Sequence, residues 1–320
     1  MAYASDIDRT TAEVMTEENP ILEDIHFQEE NSDNGNKFRE RAKMPEVVAR
    51  KYNQGITASK GGVLVKVDPR TELISKLEID ESYLSDFGAA AARELADEQF
   101  AHRTANGEKL GRTLFYGSKG AESLYGIIPR YNTLNPKYSV SEYVIDASTG
   151  VSNPSNLGSI VLVSWGPKST YAFYPKNSKG GLEEGALTKG EIDGVNGGKL
   201  PGYYQYFKWK IGLTVKDYRS VVRICNIDTV KGKVQNITAG VPDLEMFIME
   251  ALRILKSNGG NVVAYAGRDV MKCLDQQALG RYKRSYPTSG FAGKLITNVN
   301  GIPFRQQDCL LAAEELVTYT

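Results

Sequence analysis

The apolar positions of the chain follow two periods, and the switches between them lay out its elements. SIVLVSW (159–165) is a nearly continuous apolar run, STYAFYP (169–175) another, and Gly166-Pro167-Lys168 stands between them. That turn chemistry between two strand-like runs predicts a hairpin. In YYQYFKWKI (203–211) the pattern alternates. Tyr203, Gln205, Phe207, Trp209 and Ile211 fall on one side of a strand, and Tyr204, Tyr206, Lys208 and Lys210 on the other. Val221–Ile224 is again continuous, interrupted only by Arg223. Between these runs, 176–198 carries KNSKGG and VNGGK and reads as a glycine-rich loop zone.

Elsewhere the period lengthens. PDLEMFIMEALRILKSNGG (242–260) repeats Leu244, Phe247, Ile248, Ala251, Leu252 and Leu255 at helical spacing. Pro242 suits a first turn and Asn258-Gly259 a stop. NVVAYAG (261–267) reads as a strand and 269–279 as a second helix. LITNV-NG-IPFRQQ (295–307) is a hairpin, because Asn-Gly supplies the positive φ that its tight turn needs. The stretch 85–117 is helix-rich around Ala89–Ala92, with Phe87, Ala91, Leu95 and Ala101 near one face. Gly107 and Gly111 predict a kink or break in its distal half, and Gly117 its end.

Two segments have too few apolar residues to fold by themselves. In 1–36, ten acidic residues face a single cation, Arg9, and the apolar content is the cluster Ile21, Leu22, Ile25 and Phe27. This reads as an arm. Residues 38–79 read as a long hairpin. Val47, Val48 and Tyr52 lie on the first limb, Gly55, Gly61 and Gly62 near the turn, and Val63, Val65 and Val67 alternate with Leu64, Lys66 and Asp68 on the second. A bare two-stranded ribbon is marginal in water and needs something to lie on. Its charge is opposite to that of the arm: Lys37, Arg39, Arg41, Lys43, Arg50, Lys51, Lys60 and Lys66 against Glu40 and Glu46. An acidic arm beside a basic ribbon fits pairing between neighbouring copies, with a solvated surface as the plain alternative.

Composition narrows the function. The chain has 320 residues, 39 Lys and Arg, and 39 Asp and Glu, so its formal net charge is zero. General nucleic-acid binding draws its affinity from neutralising phosphates and is disfavoured by that balance. Tyr204, Tyr206, Lys208 and Lys210 keep the alternative of a single-stranded nucleic-acid platform in view, although strands favour such residues anyway. Cys225, Cys273 and Cys309 are odd in number and far apart, which reads as free thiols. The opening MAYASDIDRTTAEV has no basic start followed by an apolar stretch, and no run of about eighteen apolar residues spans a membrane.

Catalytic signals are missing. His26 and His102, the two histidines, have no ligand spacing around them, and no serine sits in a G-x-S-x-G elbow. GVNGGK (194–199) is one residue short of a phosphate loop and ends in Lys-Leu, so it reads as surface loop. VVAYAGRD (262–269) is strand–turn–helix with one glycine, too little for a nucleotide site. No cofactor, metal or enzymatic role is expected.

Several motifs occur in a telling order: TLFYG (113–117), GIIPRYN (126–132), VIDASTG (144–150), VLVSWG (161–166), YPKNSKGGL (174–182), YFKWKIGLTVKDYRSVVRICNID (206–228) and GIPFRQQDCLL (301–311). Together they resemble the major capsid protein of short-tailed bacteriophages, over roughly 110–311. The resemblance implies an α+β chain of the Hong Kong 97 type. It implies an N-terminal arm (1–36), an extended E-loop hairpin (37–80), a mainly peripheral domain (81–240) with a spine helix at about 85–116, and a mainly axial domain (241–320). It implies a structural subunit of the virion that self-assembles, in the host cytoplasm, into pentamers and hexamers of an icosahedral head. The head encloses double-stranded DNA without reading its sequence. Copies of the chain are the partners implied, with scaffold, portal and decoration proteins as further classes, and no membrane. Arg39, Arg41, Lys43, Lys60, Lys66, Tyr204, Tyr206 and Lys208 are then candidates for contact between subunits.

Overall fold

The structure is a computed structural model that describes residues 19–33, 35–43, 45–118, 120, 124–148, 156–194, 197–233, 241–282, 297–299 and 301–319. Among these residues twelve strands form one mixed sheet and two more form a separate ribbon. At the centre is β6 (Leu157–Trp165), buried along its whole length. Its two edges are taken by β11 (Val221–Asp228) and β12 (Asn261–Ala266), both antiparallel. A strand enclosed on both faces and both edges has no polar side, which is why its sequence is a continuous apolar run. Beyond β12 lie β14 (Ile302–Gln306) and β13 (Thr297–Val299), and β5 (Val144–Asp146) pairs with β11.

The second organising strand is β10 (Lys199–Val215), 17 residues long. One edge pairs with β4 (Arg70–Asp80) in an eleven-residue antiparallel ladder from Gly202 to Gly212. The other edge is shared in succession by β9 (Thr188–Asp193), β8 (Leu182–Glu184) and β7 (Thr170–Tyr174). The stretch read as glycine-rich loop therefore contains two short strands. Their sequences, LEE and TKGEID, lack apolar alternation because β10 supplies the pairing partner.

The hairpin expected over 159–175 is corrected. The tight turn exists, with Gly166 N–H donating to Thr170 O and Ser169 N–H to Gly166 O. Past the single bridge Trp165–Thr170 the strands part. β6 has no free edge left, so β7 pairs with β10 and, in parallel, with β1 (Phe27–Glu29).

Six α-helices are described: α1 (Ile21–Asp24), α2 (Glu81–Asp86), α3 (Ala91–Tyr116), α4 (Ile127–Arg130), α5 (Leu244–Ile254) and α6 (Arg268–Tyr282). α3 runs unbroken through Gly107 and Gly111 and is closed by Gly117. The expected break is absent because the glycine is there for contact. A Cβ on Gly111 would collide with the Asn19 side-chain oxygen. The buried face also differs from the expected one. Leu110, Leu114 and Phe115 are buried, while Phe87 and Ala101 are exposed. α3 lies against β4, β8 and β10 through polar fasteners: Gln99 Nε2 donates to Gln205 Oε1 (2.7 Å), Arg103 forks onto Glu184 (2.8 and 2.9 Å), and Asn106 Nδ2 donates to Ser75 Oγ (2.7 Å). The His102 ring stacks on Phe207 at 5.4 Å.

α5 is capped by Asp243, whose side chain accepts from Met246 N–H, and it ends at Ile254, before Asn258 and Gly259 take up positive φ. The large core joins β6, β11 and β12 to the C-terminal half of α3, to α5 and to the apolar residues of 19–30. A small satellite of Leu77, Ile79 and Phe207 sits under α3, with Leu84, Leu95 and Leu182 packed on it. No described helix is long and apolar enough to cross a membrane.

The expectation for the acidic arm is half corrected. Residues 1–18 lie outside the described residues. Residues 19–30 are docked on the chain's own body, with Ile21 and Ile25 buried. Asp24 accepts from the Tyr265 hydroxyl (3.0 Å) and from Arg305 (3.2 Å), and the Gln307 amide donates to Asn19 Oδ1 (3.0 Å). The four apolar residues that looked too few for a core are enough to plug into an existing one.

Candidate assembly surface

The ribbon is built from β2 (Asn36–Lys43) and β3 (Gly62–Asp68), antiparallel, with residues 45–61 beyond the paired region. Pairing ends where Asn36 meets Asp68, so the hairpin is shorter than the 38–79 expected, and 70–80 belongs to the large sheet. Proline at 69 explains the change of course, since it donates no ladder hydrogen bond.

The base of the ribbon is fixed by a set of buried polar contacts. Asn36 Nδ2 donates to the Tyr171 hydroxyl (2.7 Å) and to Thr214 Oγ1 (2.9 Å). Arg130 donates from Nη2 to Asp68 Oδ1 (3.0 Å) and Leu213 O (3.1 Å), and from Nε to Tyr125 O (3.0 Å). Its guanidinium lies 4.6 Å from the centre of the Tyr125 ring. Arg70 pairs with the buried Glu30. Burial raises the Asp68 carboxyl above its ordinary value, and Arg130 pulls it back down. Gly35 sits at φ +118°, and a Cβ there would run into the Asp68 carbonyl. None of this was visible in the sequence beyond a glycine and a polar residue at each limb's foot.

The limbs and tip are the opposite. Val47 and Tyr52 are 95% and 97% exposed, and Val48, Ile56, Val63, Leu64, Val65 and Val67 are exposed too. Apolar residues lie bare on both faces of β3, which no single-sided packing on the chain's own body would leave. Lys60 and Arg39 are exposed, and Lys66 forms an ion pair with Glu40 across the ribbon. Arg41 and Lys43 lie on β2 at the positions facing Val63 and Gly62, and their side chains lie outside the described residues.

On the large sheet, β10 alternates as expected from 205 to 211, while Tyr203, expected on the inward side, is half-buried like Tyr204. Gln205, Phe207, Trp209 and Ile211 are buried, while Tyr206 is exposed and Tyr204, Lys208 and Lys210 are half-buried. Opposite them stand Glu78, Lys76, Ile74 and Glu72 of β4. Tyr204 and Tyr206 meet edge to face at 5.9 Å. The Lys76 ammonium lies 5.6 Å from each of their ring centres, and Lys208 lies 5.6 Å from that of Tyr206. Lys76 also pairs with Glu78, and Lys210 approaches Glu72 at 3.8 Å. These cations are partly balanced and their aromatic faces partly covered, so the face does not favour stacked bases and phosphates. The candidates of the sequence thus form two separate groups, one on the ribbon and one on the outer sheet face.

Chemistry-bearing residues elsewhere are held in structural contacts. Cys225 and Cys273 are buried and Cys309 half-buried, and burial pushes each thiol up to about 12. The described residues contain no group of three or more His, Cys, Asp or Glu placed to hold a metal ion. Gly194 and Gly198, read as surface loop, form the turn between β9 and β10, with Gly194 N–H donating to Gly198 O.

The family model of major capsid protein GP7 matches residues 5–318. The chain belongs to that family. It is a structural capsid subunit of the virion, and its shell is built from many copies of itself. A solved chain of bacteriophage Epsilon15 is similar at 26% identity with a TM-score of 0.73, covering 93% of this chain and 88% of that one. The capsid of bacteriophage JBD30 is similar at 8% identity and TM-score 0.48, covering 92% of both chains. The sequence has no match among curated proteins. The α+β architecture is that of the Hong Kong 97-like capsid subunits, and the single-stranded nucleic-acid alternative has no support. Within this capsid protein, the ribbon is anchored at its foot by buried contacts, and the apolar residues of β3 and of 45–61 are left bare in the single subunit, while Phe38 of β2 is buried.

Proposed function

We propose that the subunit closes into pentamers and hexamers of an icosahedral head, with the ribbon 36–68 acting as an E-loop that lies on an adjacent copy. One observation carries this reading: a ribbon with a buried polar base whose strand β3 exposes apolar residues on both faces, as does the segment 45–61 beyond it. Exposed apolar residues in a contiguous strip mark a surface awaiting a partner. Arg39, Arg41, Lys43 and Lys60 would add charge contacts at the rim, and Tyr204, Tyr206 and Lys208 would contact neighbours from the outer sheet face. Contacts inside a ring would be heterologous and closed by rotation. Many modest contacts per subunit make the shell far harder to dissolve than any one contact suggests.

In this reading residues 36–68 are the E-loop, the strand 70–80 that follows joins the large sheet, α3 is the spine of a mainly peripheral domain (81–240), and 241–320 is mainly the axial domain. Assembly takes place in the host cytoplasm, with scaffold, portal and decoration proteins as the classes of further partner. The zero net charge suits a wall that encloses double-stranded DNA without gripping it. The role is mechanical and involves no catalysis.

Deleting 54–62 tests the proposal. The expected product is a folded subunit, with wild-type circular dichroism, that forms no closed shells under the electron microscope. Normal shells at normal yield from the deletion would overturn it.

A further inference from the structure

Near the end of the chain, residues 311–319 form no helix or strand, and only two of their side chains point inward. Glu314 and Val317 are buried, while Leu311, Ala312, Ala313, Glu315, Leu316, Thr318 and Tyr319 are exposed. Each inward residue meets a fitted partner. Glu314 Oε2 accepts from Arg223 Nη2 (2.9 Å) and from the Ser159 hydroxyl, and Oε1 accepts from the Tyr116 hydroxyl (2.5 Å). Glu314 N–H donates to Leu157 O (2.8 Å). Three residues on, Asn226 clamps the main chain from both sides: its Nδ2 donates to Val317 O (2.9 Å) and its Oδ1 accepts from Val317 N–H (2.9 Å).

The receiving side is held in part by contacts outside the segment. Arg223 is 2% exposed and keeps three other contacts: Ser159 Oγ (3.1 Å), Tyr131 O (2.9 Å) and Asn132 Oδ1 (2.7 Å). These fix the guanidinium and leave Nη2 directed at a carboxylate. Asn226 stands at φ +59°, where the pairing of β11 with β6 slips, and its amide is also held by Asp146 Oδ1 (2.8 Å). A side-chain amide that reads one residue's N–H and C=O reproduces a strand's ladder contact, which is how extended peptides are captured. A buried arginine with a preset fork supplies the charge partner.

We propose that Arg223, Asn226, Ser159 and Tyr116 form a peptide-binding site. Its ligand class is an extended segment with a carboxylate side chain and, three residues later, a branched apolar one. Residues 314–317 are its resident ligand, able to leave and return while the body stays folded. The site does not depend on the assembly role of the ribbon.

The test cuts the resident ligand free. A site-specific protease sequence is inserted between Ala312 and Ala313 of the full chain, the folded protein is cleaved, and a labelled synthetic peptide of residues 313–319 is added. We expect the label to exchange in, to saturate, and to be displaced by unlabelled peptide. The Glu314→Gln peptide should bind on the order of tenfold to a hundredfold more weakly, the range for a hydrogen bond to a charged group. A chain ending at Ala312 should fold and bind the same peptide. The proposal is overturned if the cleaved fragment never exchanges, if the body loses its near-ultraviolet circular dichroism when the fragment leaves, if the shortened chain fails to fold, or if the Gln peptide binds as well as the native one.

Discussion

Replacing Arg130 by methionine isolates the foot of the ribbon. The Arg130 and Asp68 side chains are only 13% and 8% exposed, and their ion pair spans 3.0 Å. Methionine keeps most of the volume and removes the charge, so the Asp68 carboxylate is left in a buried setting without its cation. Breaking a buried pair in this way costs about 3–5 kcal/mol. Burial already raises the Asp68 carboxyl, and Arg130 is what opposes it. Without Arg130 the carboxyl rises further, and the sign of the pH effect follows. A carboxyl raised in the folded state favours folding at low pH, and that contribution is lost as pH rises through the raised value. The variant should therefore be weakest near neutrality and recover part of its loss on acidification toward the ordinary carboxylate range near pH 4. Adding Asp68→Asn should remove this recovery and return stability at neutral pH. Urea unfolding of the unassembled subunit, followed by the fluorescence of the buried Trp165 and Trp209, reads the effect. With a urea slope of about 3 kcal/mol/M, the midpoint should fall by about 1–1.7 M near neutrality. An unchanged midpoint, or a loss equal at both pH values, would refute the account of the foot as a buried charge pair.

Other outcomes follow from the same surfaces. Gly35→Ala places a side chain at φ +118° against the Asp68 carbonyl, a strain of about 1–3 kcal/mol. Hydrogen exchange should quicken over 36–43 and stay slow in β6, and unchanged protection of the ribbon would count against it. Reversing Arg39, Arg41 and Lys43 to glutamate should weaken assembly most at low salt, where charge contacts are least screened, as light scattering would show. Identical assembly would mean that these cations are merely solvated. Tyr206→Ala with Lys208→Ala should leave the chain's low-salt retention on single-stranded DNA unchanged, since their faces and charges are engaged by Lys76 and its neighbours. A marked loss of retention would reopen the nucleic-acid reading.

The parts legible in the sequence are those where one chain segment sets its own environment. β10 alternates over 205–211 because one of its faces is buried there and the other is not, and α5 shows a stripe because one stripe is covered. The turn at Gly301 needs positive φ, and Asn-Gly announces it. What stayed hidden depends on distant partners. β8 and β9 are strands because β10 offers its edge, and β6 and β7 diverge because β11 and β12 already fill both edges of β6. Gly111 looked like a weak point because the approach of Asn19, 92 positions earlier in the numbering, is invisible locally. Arg223 looked like an interruption in an apolar strand, yet its partners come from 131–159 and from Glu314. For the candidate surface, the bare apolar residues of the ribbon were legible as a shortage of core, whereas the foot that anchors it was not.

The uninterrupted course of β10 has a mechanical meaning for a container wall. Seventeen residues of strand extend for roughly 55 Å. Tension entering at the end beside β9 reaches the end beside β7 along one backbone, bonded laterally to β4 for most of the way. Pulling along that line loads many peptide bonds' worth of cross-ties in shear at once, where peeling would load them one by one. A strand of this kind spreads a pull on either end of the subunit over the whole ladder instead of its last bond.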